Sequence, residues 1–265
     1  MFLKRSYVIP NIITAFSLSC GLFVIFKVNM SVVGENTYQL IYSSALLLML
    51  AAFADLLDGA VARAMHGESD FGCLFDSLSD AISFGVAPSV LLLKSLVLTS
   101  GQWMAIFASM GGLFYTISGV LRLVRYSVRS YELKESKQEL QDDRKRFAGL
   151  PIPAAAALAI SLNLFLNSPF LAQHIDLGYT TKAGVLIGFM VLLGALMISR
   201  WPFPSLKALH VRLSSFYMVF LTSVLAIFIL YGIFYYFPFV LFVASFGYLV
   251  FGLITGFIVM LRRKF

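Results

Sequence analysis

The chain has 265 residues, 60% of them apolar and 12% charged, with a mean hydropathy of +0.88. Soluble domains are nearer half apolar and a quarter charged, so this composition excludes an ordinary water-soluble fold and points to an integral membrane protein. The net charge of +7 does not indicate nucleic acid, because the basic residues gather at the ends of apolar runs, where they orient spans and meet anionic lipid headgroups.

The opening stretch, MFLKRSYVIPNIITAFSLSCGLFVIF, has the charge-then-apolar layout of a signal peptide. No small-residue cleavage site follows, and it reads as a retained first span. Apolar runs then recur near 10–28, 39–62, 77–98, 102–124, 150–168, 182–199, 214–233 and 238–261. Each is roughly 18–25 residues, the length a helix needs to cross the hydrocarbon core, and lipid leaves helices as the expected form. The fold expected is an all-α membrane bundle of about eight helices, forming one domain over 1–265. The last pair (214–261) is joined only by the tight FYYFP turn, so six spans plus a hairpin is the alternative.

With eight spans, both termini lie on one side of the membrane. Of the 20 Lys and Arg residues, Lys27, Lys94 and Lys182 fall on the other side and the remaining seventeen on the terminal side. The positive-inside rule then makes the termini cytoplasmic. The one long polar loop, SVRSYELKESKQELQDDRKRF, mixes charge signs at helical spacing and reads as a solvated surface helix. Cys20 lies in the first span and Cys73 in a polar connection, so no disulfide is expected. His66, His174 and His210 read as loop residues, not spaced for a paired nucleophile.

The connection from Asp55 to Asp80, DLLDGAVARAMHGESDFGCLFDSLSD, carries six carboxylates and one arginine. Asp55 and Asp58 are three apart and Asp76 and Asp80 four apart, so each pair shares a helix face. Two neighbouring antiparallel helices would aim both pairs at one point. At an effective dielectric near 20, two such charges about 5 Å apart repel by roughly 3 kcal/mol, so a bound cation is expected among them. Oxygen ligands favour Mg²⁺, Mn²⁺ or Ca²⁺ over zinc, and shared carboxylates commonly hold two ions. Glu68 and Asp70 read as solvated acids. Gly59, Ala62 and Gly72 leave room for close approach, and Arg63 offers a forked donor to phosphate. Together these residue types describe a diphosphate site.

Two further groups stand out. Asn11, Thr14, Ser17 and Gly21 fall within an arc of about 120° on the first span, a polar stripe that should face the bundle. Arg122 and Arg125, at the end of the fourth span, suit either a carboxylate ligand or lipid headgroups. GVLIG (184–188) and GLITG (252–256) are small-residue patterns that can pack helices within or between chains.

The run Asp55-x-x-Asp58-Gly59-x-x-Ala62-Arg63, then Gly72, Asp76 and Asp80 at fixed intervals, resembles the signature of the CDP-alcohol phosphatidyltransferases. IPNIIT (9–14), DSLSDAISFGVAPS (76–89), GVLRLVRY (119–126), FAGLPIPAAAA (147–157) and LMISRWPFPSLK (196–207) resemble one branch, the membrane-spanning phosphatidylserine synthases of bacteria and archaea. Departures are Tyr126, where phenylalanine is commoner, and Ser17, where asparagine is frequent. The resemblance implies transfer of the phosphatidyl group from CDP-diacylglycerol to L-serine, releasing CMP, with Mg²⁺ or Mn²⁺, two ions per site. It implies metal on Asp55, Asp58, Asp76 and Asp80, with Asp80 as base. Asn11, Thr14, Gly59, Ala62, Arg63 and Gly72 would then contact the nucleotide. Arg122 and Arg125 stand where the serine carboxylate would be held. It further implies an enzyme of the cytoplasmic membrane with its site at the cytosolic face, and a homodimer.

Two rivals remain at this level. The same chemistry with glycerol 3-phosphate or an inositol phosphate would want more basic residues near the metals, and choline an aromatic cage. A cation transporter would want the acids near the bilayer midplane, whereas these sit at its boundary.

Overall fold

A helix that is apolar all round buries only the face on which neighbours pack and gives the rest to lipid. In a computed structural model of the protein, which describes residues 5–32, 37–65, 69–97, 102–135, 146–174, 177–204 and 236–258, this rule sorts nearly every helix. On α1 (Arg5–Met30), Thr14, Ser17, Cys20, Val24 and Val28 are buried, while Ile12, Phe16, Phe23 and Phe26 are exposed. On α2 (Thr37–Ala64) the buried residues Ile41, Ser44, Ala45, Leu48, Ala51, Ala54 and Asp58 follow the helical period to the acidic end.

The third span is a composite. α3 (Asp70–Asp80) is capped by Ser69, whose hydroxyl accepts from Gly72 N at 3.0 Å. It passes through a π-helical turn (Ala81–Val86) into α4 (Ala87–Val97). Pro88 explains the turn: it has no N–H for the carbonyl of Phe84, four residues earlier. In lipid that carbonyl needs another donor, and the fully buried Tyr115 hydroxyl supplies it at 2.9 Å. The hydroxyls of Thr116 and Ser89 likewise donate to Gly85 O, each at 3.1 Å.

α5 (Gln102–Glu135) contributes Tyr115, and a short strand β1 (Arg146–Ala148) follows. α6 (Ile152–Leu166) is buried on nearly every side and forms the centre of the bundle. α7 (Pro169–His174), α8 (Tyr179–Ile198) and β2 (Pro202–Pro204) come next. The last described helix is α9 (Tyr236–Ile258). β1 and β2 pair antiparallel, Phe147 opposite Phe203. Between β1 and α6, Gly149 takes a φ of 87°, which glycine adopts without strain. A side chain there would also press on Ser199 O, 3.0 Å from the Cβ position.

Among the described residues six helices are long and apolar enough to cross a membrane: Val8–Met30, Thr37–Ala64, Asp70–Leu96, Trp103–Val128, Tyr179–Ile198 and Tyr236–Ile258. The all-α membrane fold expected from the sequence is therefore present. Three expectations change. The third span starts at Asp70, seven residues before the apolar run, because a helix with a proper cap carries its polar first turns into the aqueous boundary. The fourth helix runs through Arg122 and Arg125 to Glu135 instead of ending near 124, so the start of the mixed-charge loop continues it. The run at 150–168 is a 15-residue helix, about 22 Å long, short of a bilayer core of about 30 Å. The expected span at 214–233 lies outside the described residues, as do His66 and His210.

The two glycine patterns divide. Gly184 and Gly188 have no described atom within 4 Å of a Cβ position, whereas Gly252 and Gly256 pack against Phe203 and Trp201. Cys20 and Cys73 are free thiols, and His174 sits exposed on α7 with Nδ1 2.9 Å from Phe170 O.

Candidate active site

The site forms where four helix segments meet at one end of the bundle. α2 brings its last two turns, α3 its first three, α1 its N-terminal half and α5 the middle of its length. Gly21 lets α1 and the π-helical turn touch: a Cβ there would lie 2.7 Å from Ser83 Cα. Hydroxyls tie the same seam. Ser83 donates to Ser17 O at 3.2 Å, Ser17 to Ala51 O at 2.9 Å and Ser79 to Thr14 O at 3.4 Å. The stripe on α1 thus faces α2 and α3.

This seam sets the carboxylates. Asp55 from α2 and Asp76 and Asp80 from α3 each offer an oxygen, and these oxygens lie within 4.8 Å of one another. All three residues are half-buried. Asp58 is buried one turn along α2, and its Oδ2 accepts from Thr14 Oγ1 at 2.5 Å. That hydroxyl lies 3.1 Å from Pro10 O, but the carboxylate is nearer and carries charge, so it takes the proton. Asp58 is also within electrostatic range of Asp76. The structure therefore gathers Asp55, Asp76 and Asp80 tightly and places Asp58 beside them, held by α1.

The remaining predicted residues ring this cluster unevenly. Asn11 is half-buried against α3, its Oδ1 3.1 Å from where a Cβ on Gly72 would stand. Ser69 Oγ would stand equally close to that Cβ, so glycine at 72 leaves room for both side chains. Gly59 differs: an added Cβ would meet Arg63 Nη1 at an unforced 3.4 Å and nothing else nearby. Ala62 is half-buried and Arg63 exposed, folded back along α2 over Gly59. Arg122 is buried on the inner face of α5, in the stripe Tyr115, Ser118, Arg122, within electrostatic range of Asp80. Arg125 is exposed, and its Nη1 donates to Ile198 O at 3.0 Å, securing the end of α8. The two arginines that the sequence paired thus point to different places.

Three carboxylates this close are mutually repulsive unless protons or a cation lie among them. Asp80 Oδ1 is buried with no hydrogen-bond partner among the described residues, which leaves it lone pairs to offer a cation. All-oxygen donors suit Mg²⁺ or Mn²⁺. The residues fit a hard divalent ion.

Sequence reading missed Ser79, Ser83 and Tyr115. The serines had a signal, since Ser79 and Ser83 repeat the four-residue spacing of Asp76 and Asp80. Tyr115 had none, because its partner is a backbone carbonyl 31 residues away.

An all-α integral membrane protein with a carboxylate cluster fit for a divalent cation at one end of its spans is the class these observations define. The chain belongs to the CDP-alcohol phosphatidyltransferase family, whose model matches residues 7–201. It is similar to the CDP-diacylglycerol--serine O-phosphatidyltransferase of Helicobacter pylori strain J99, 34% identical over 214 residues, covering 80% of this chain and 78% of that protein. The proteins of the same name from Methanocaldococcus jannaschii and Bacillus subtilis are 30% and 32% identical. The first match covers 76% of both chains, the second 62% of this chain and 80% of its relative.

Proposed function

We propose that the protein transfers the phosphatidyl group of CDP-diacylglycerol to L-serine, giving phosphatidylserine and CMP. The observation that carries this reading is the cluster of Asp55, Asp76 and Asp80 within 4.8 Å, in a chain whose 7–201 segment matches the family. Several relatives bearing the serine enzyme's name favour that acceptor over glycerol 3-phosphate, an inositol phosphate or choline.

Asp55, Asp58, Asp76 and Asp80 would hold one or two Mg²⁺ or Mn²⁺ ions. Such ions neutralise a diphosphate and stabilise the leaving nucleotide phosphate. Asp80 takes the proton of the serine hydroxyl as that oxygen attacks phosphorus, a task suited to the carboxylate nearest an amino-acid-binding arginine. The P–O bond to CMP breaks as the new one forms, with no covalent enzyme intermediate. Thr14 fixes the Asp58 carboxylate, and Asn11 and Gly72 border the nucleotide. Gly59 and Ala62 leave the diphosphate room, and Arg63, folded over Gly59, donates to it. Arg122 holds the serine carboxylate. Arg125 supports the site from outside by securing α8.

The positive-inside count orients the carboxylate end to the cytosol, in the cytoplasmic membrane. We take residues 1–265 as one membrane domain and Gly184 and Gly188, clear of described neighbours, as the face available to a second copy. The test is purified protein with CDP-diacylglycerol, Mn²⁺ and a panel of labelled alcohols. Serine is expected to enter lipid; incorporation of another alcohol in its place overturns the acceptor, and no incorporation of any overturns the reaction.

A further inference from the structure

α2 and α6 meet through alanines. Ala45 and Ala52 on α2 and Ala156 and Ala157 on α6 are too small to fill the space between the two helices, and a groove remains there. Every described residue that lines it is apolar. Leu48, Phe84 and Ala156 give it a buried floor, whereas Met49 on its rim is 39% exposed. Met49 adjoins the exposed Leu50 and Phe53 on the spanning part of α2, so the groove opens sideways onto the surface that meets lipid.

The groove also has a direction. At one end stand Ala52, Phe84 and Pro153. Asp55 follows Ala52 by three residues and Asp80 precedes Phe84 by four, so each acid lies about one helical turn beyond that end. At the other end Ala45, Ile160 and Leu241 converge from α2, α6 and α9. The rise of α2 from Ala45 to Asp55 is about 15 Å, half of a hydrocarbon core of about 30 Å. That is the depth of one leaflet, over which a lipid held at its headgroup extends its chains. A polar ligand would find no partner on these walls. A flexible apolar chain anchored at the acids fits both the depth and the chemistry.

We propose that the groove seats one acyl chain of the lipid substrate and that Leu241, at its far end, sets the chain length the enzyme prefers. The proposal rests on the phosphatidyl transfer proposed above. It gives α9, which lies beyond residue 201 where the family match ends, a part in substrate choice. Lipid is as apolar as the groove, so moving a methylene from one to the other changes little. Discrimination comes from the far end, where an overlong chain meets side chains of three helices and overpacks them.

The experiment gives the full-length chain in nanodiscs an equimolar mixture of dilauroyl and distearoyl CDP-diacylglycerol, with serine and Mn²⁺. It reads the ratio of the two phosphatidylserines by mass spectrometry. Competition within one sample reports a ratio of kcat/KM values, which the fraction of folded enzyme does not alter. Wild type, Leu241→Ala and Leu241→Phe are compared, with Phe239→Ala as the control because Phe239 is 59% exposed on the same helix. Leu241→Ala is expected to move the ratio toward the longer chain and Leu241→Phe toward the shorter. Each shift is expected to be about fivefold, the low end of what overpacking an apolar site produces. Phe239→Ala is expected to leave the ratio within about twofold of wild type. A ratio that both Leu241 variants leave unchanged, or shift in the same direction, overturns the proposal while the reaction stands. An equal shift in Phe239→Ala makes the effect one of helix packing and also overturns it. If the wild type makes no phosphatidylserine from either lipid, the reaction itself fails, and the proposal with it.

Discussion

Asp80 stands where two demands cross. One of its carboxylate oxygens is buried with no hydrogen-bond partner among the described residues, and it lies within electrostatic range of Arg122, which is buried on the inner face of α5. Replacing it with asparagine keeps the shape and removes the base. Asp80→Asn is expected to lower kcat by at least about a hundredfold, the scale of general-base loss, while CDP still binds in isothermal titration; retained turnover would remove it as base. Gly59 gives a second residue-scale test with opposite signs in two readouts. Nothing in the protein crowds a Cβ at this position, and alanine is favoured over glycine inside a helix by about 1 kcal/mol. Gly59→Ala is expected to raise the thermal midpoint and yet depress activity, because the methyl occupies space that the diphosphate needs. A more stable and fully active variant would show that the glycine serves no ligand.

At the scale of elements, the composite third span ties the acids to the bundle. Asp80 is the last residue of α3, directly before the π-helical turn. The turn thus sets the rotation at which α3 presents Asp76 and Asp80. Its freed carbonyl at Phe84 depends on Tyr115, which is wholly buried. Tyr115→Phe leaves that carbonyl without its donor, at a cost of about 1–3 kcal/mol. The expected result is a lower thermal midpoint in detergent and faster hydrogen exchange in 81–90, with no change at α8. Unchanged melting would mean that the π-helical turn stands without the tyrosine. Pro88 is a local signal for a break that the reading of 77–98 as one run passed over, whereas the break's geometry and its donor leave no such signal. A hydroxyl 31 residues away leaves no local pattern.

For the whole molecule, the acid cluster links ligand binding to stability. An ion that binds the folded chain and not the unfolded one adds about 2.7 kcal/mol at a hundred times its dissociation constant. Mn²⁺ is therefore expected to raise the thermal midpoint of purified protein and a chelator to lower it. Asp55→Asn combined with Asp76→Asn should abolish the response to both. A double variant that still responds would place the ion elsewhere.

The sequence by itself determined that this is a helical membrane protein with a dense patch of acids at one boundary. Apolar runs of spanning length and acids at three- and four-residue spacing are one-dimensional signals that survive without knowledge of neighbours. It also marked Thr14 and Ser17 as inward-facing, because a polar stripe on an apolar helix avoids lipid. Only the tertiary structure decided which acids share a point, and it put Asp55, Asp76 and Asp80 together with Asp58 held by Thr14. It likewise separated Arg122, buried on the inner face of α5, from the exposed Arg125. Those outcomes depend on helix rotation and on close approach at Gly21, and packing between segments distant in the chain sets both.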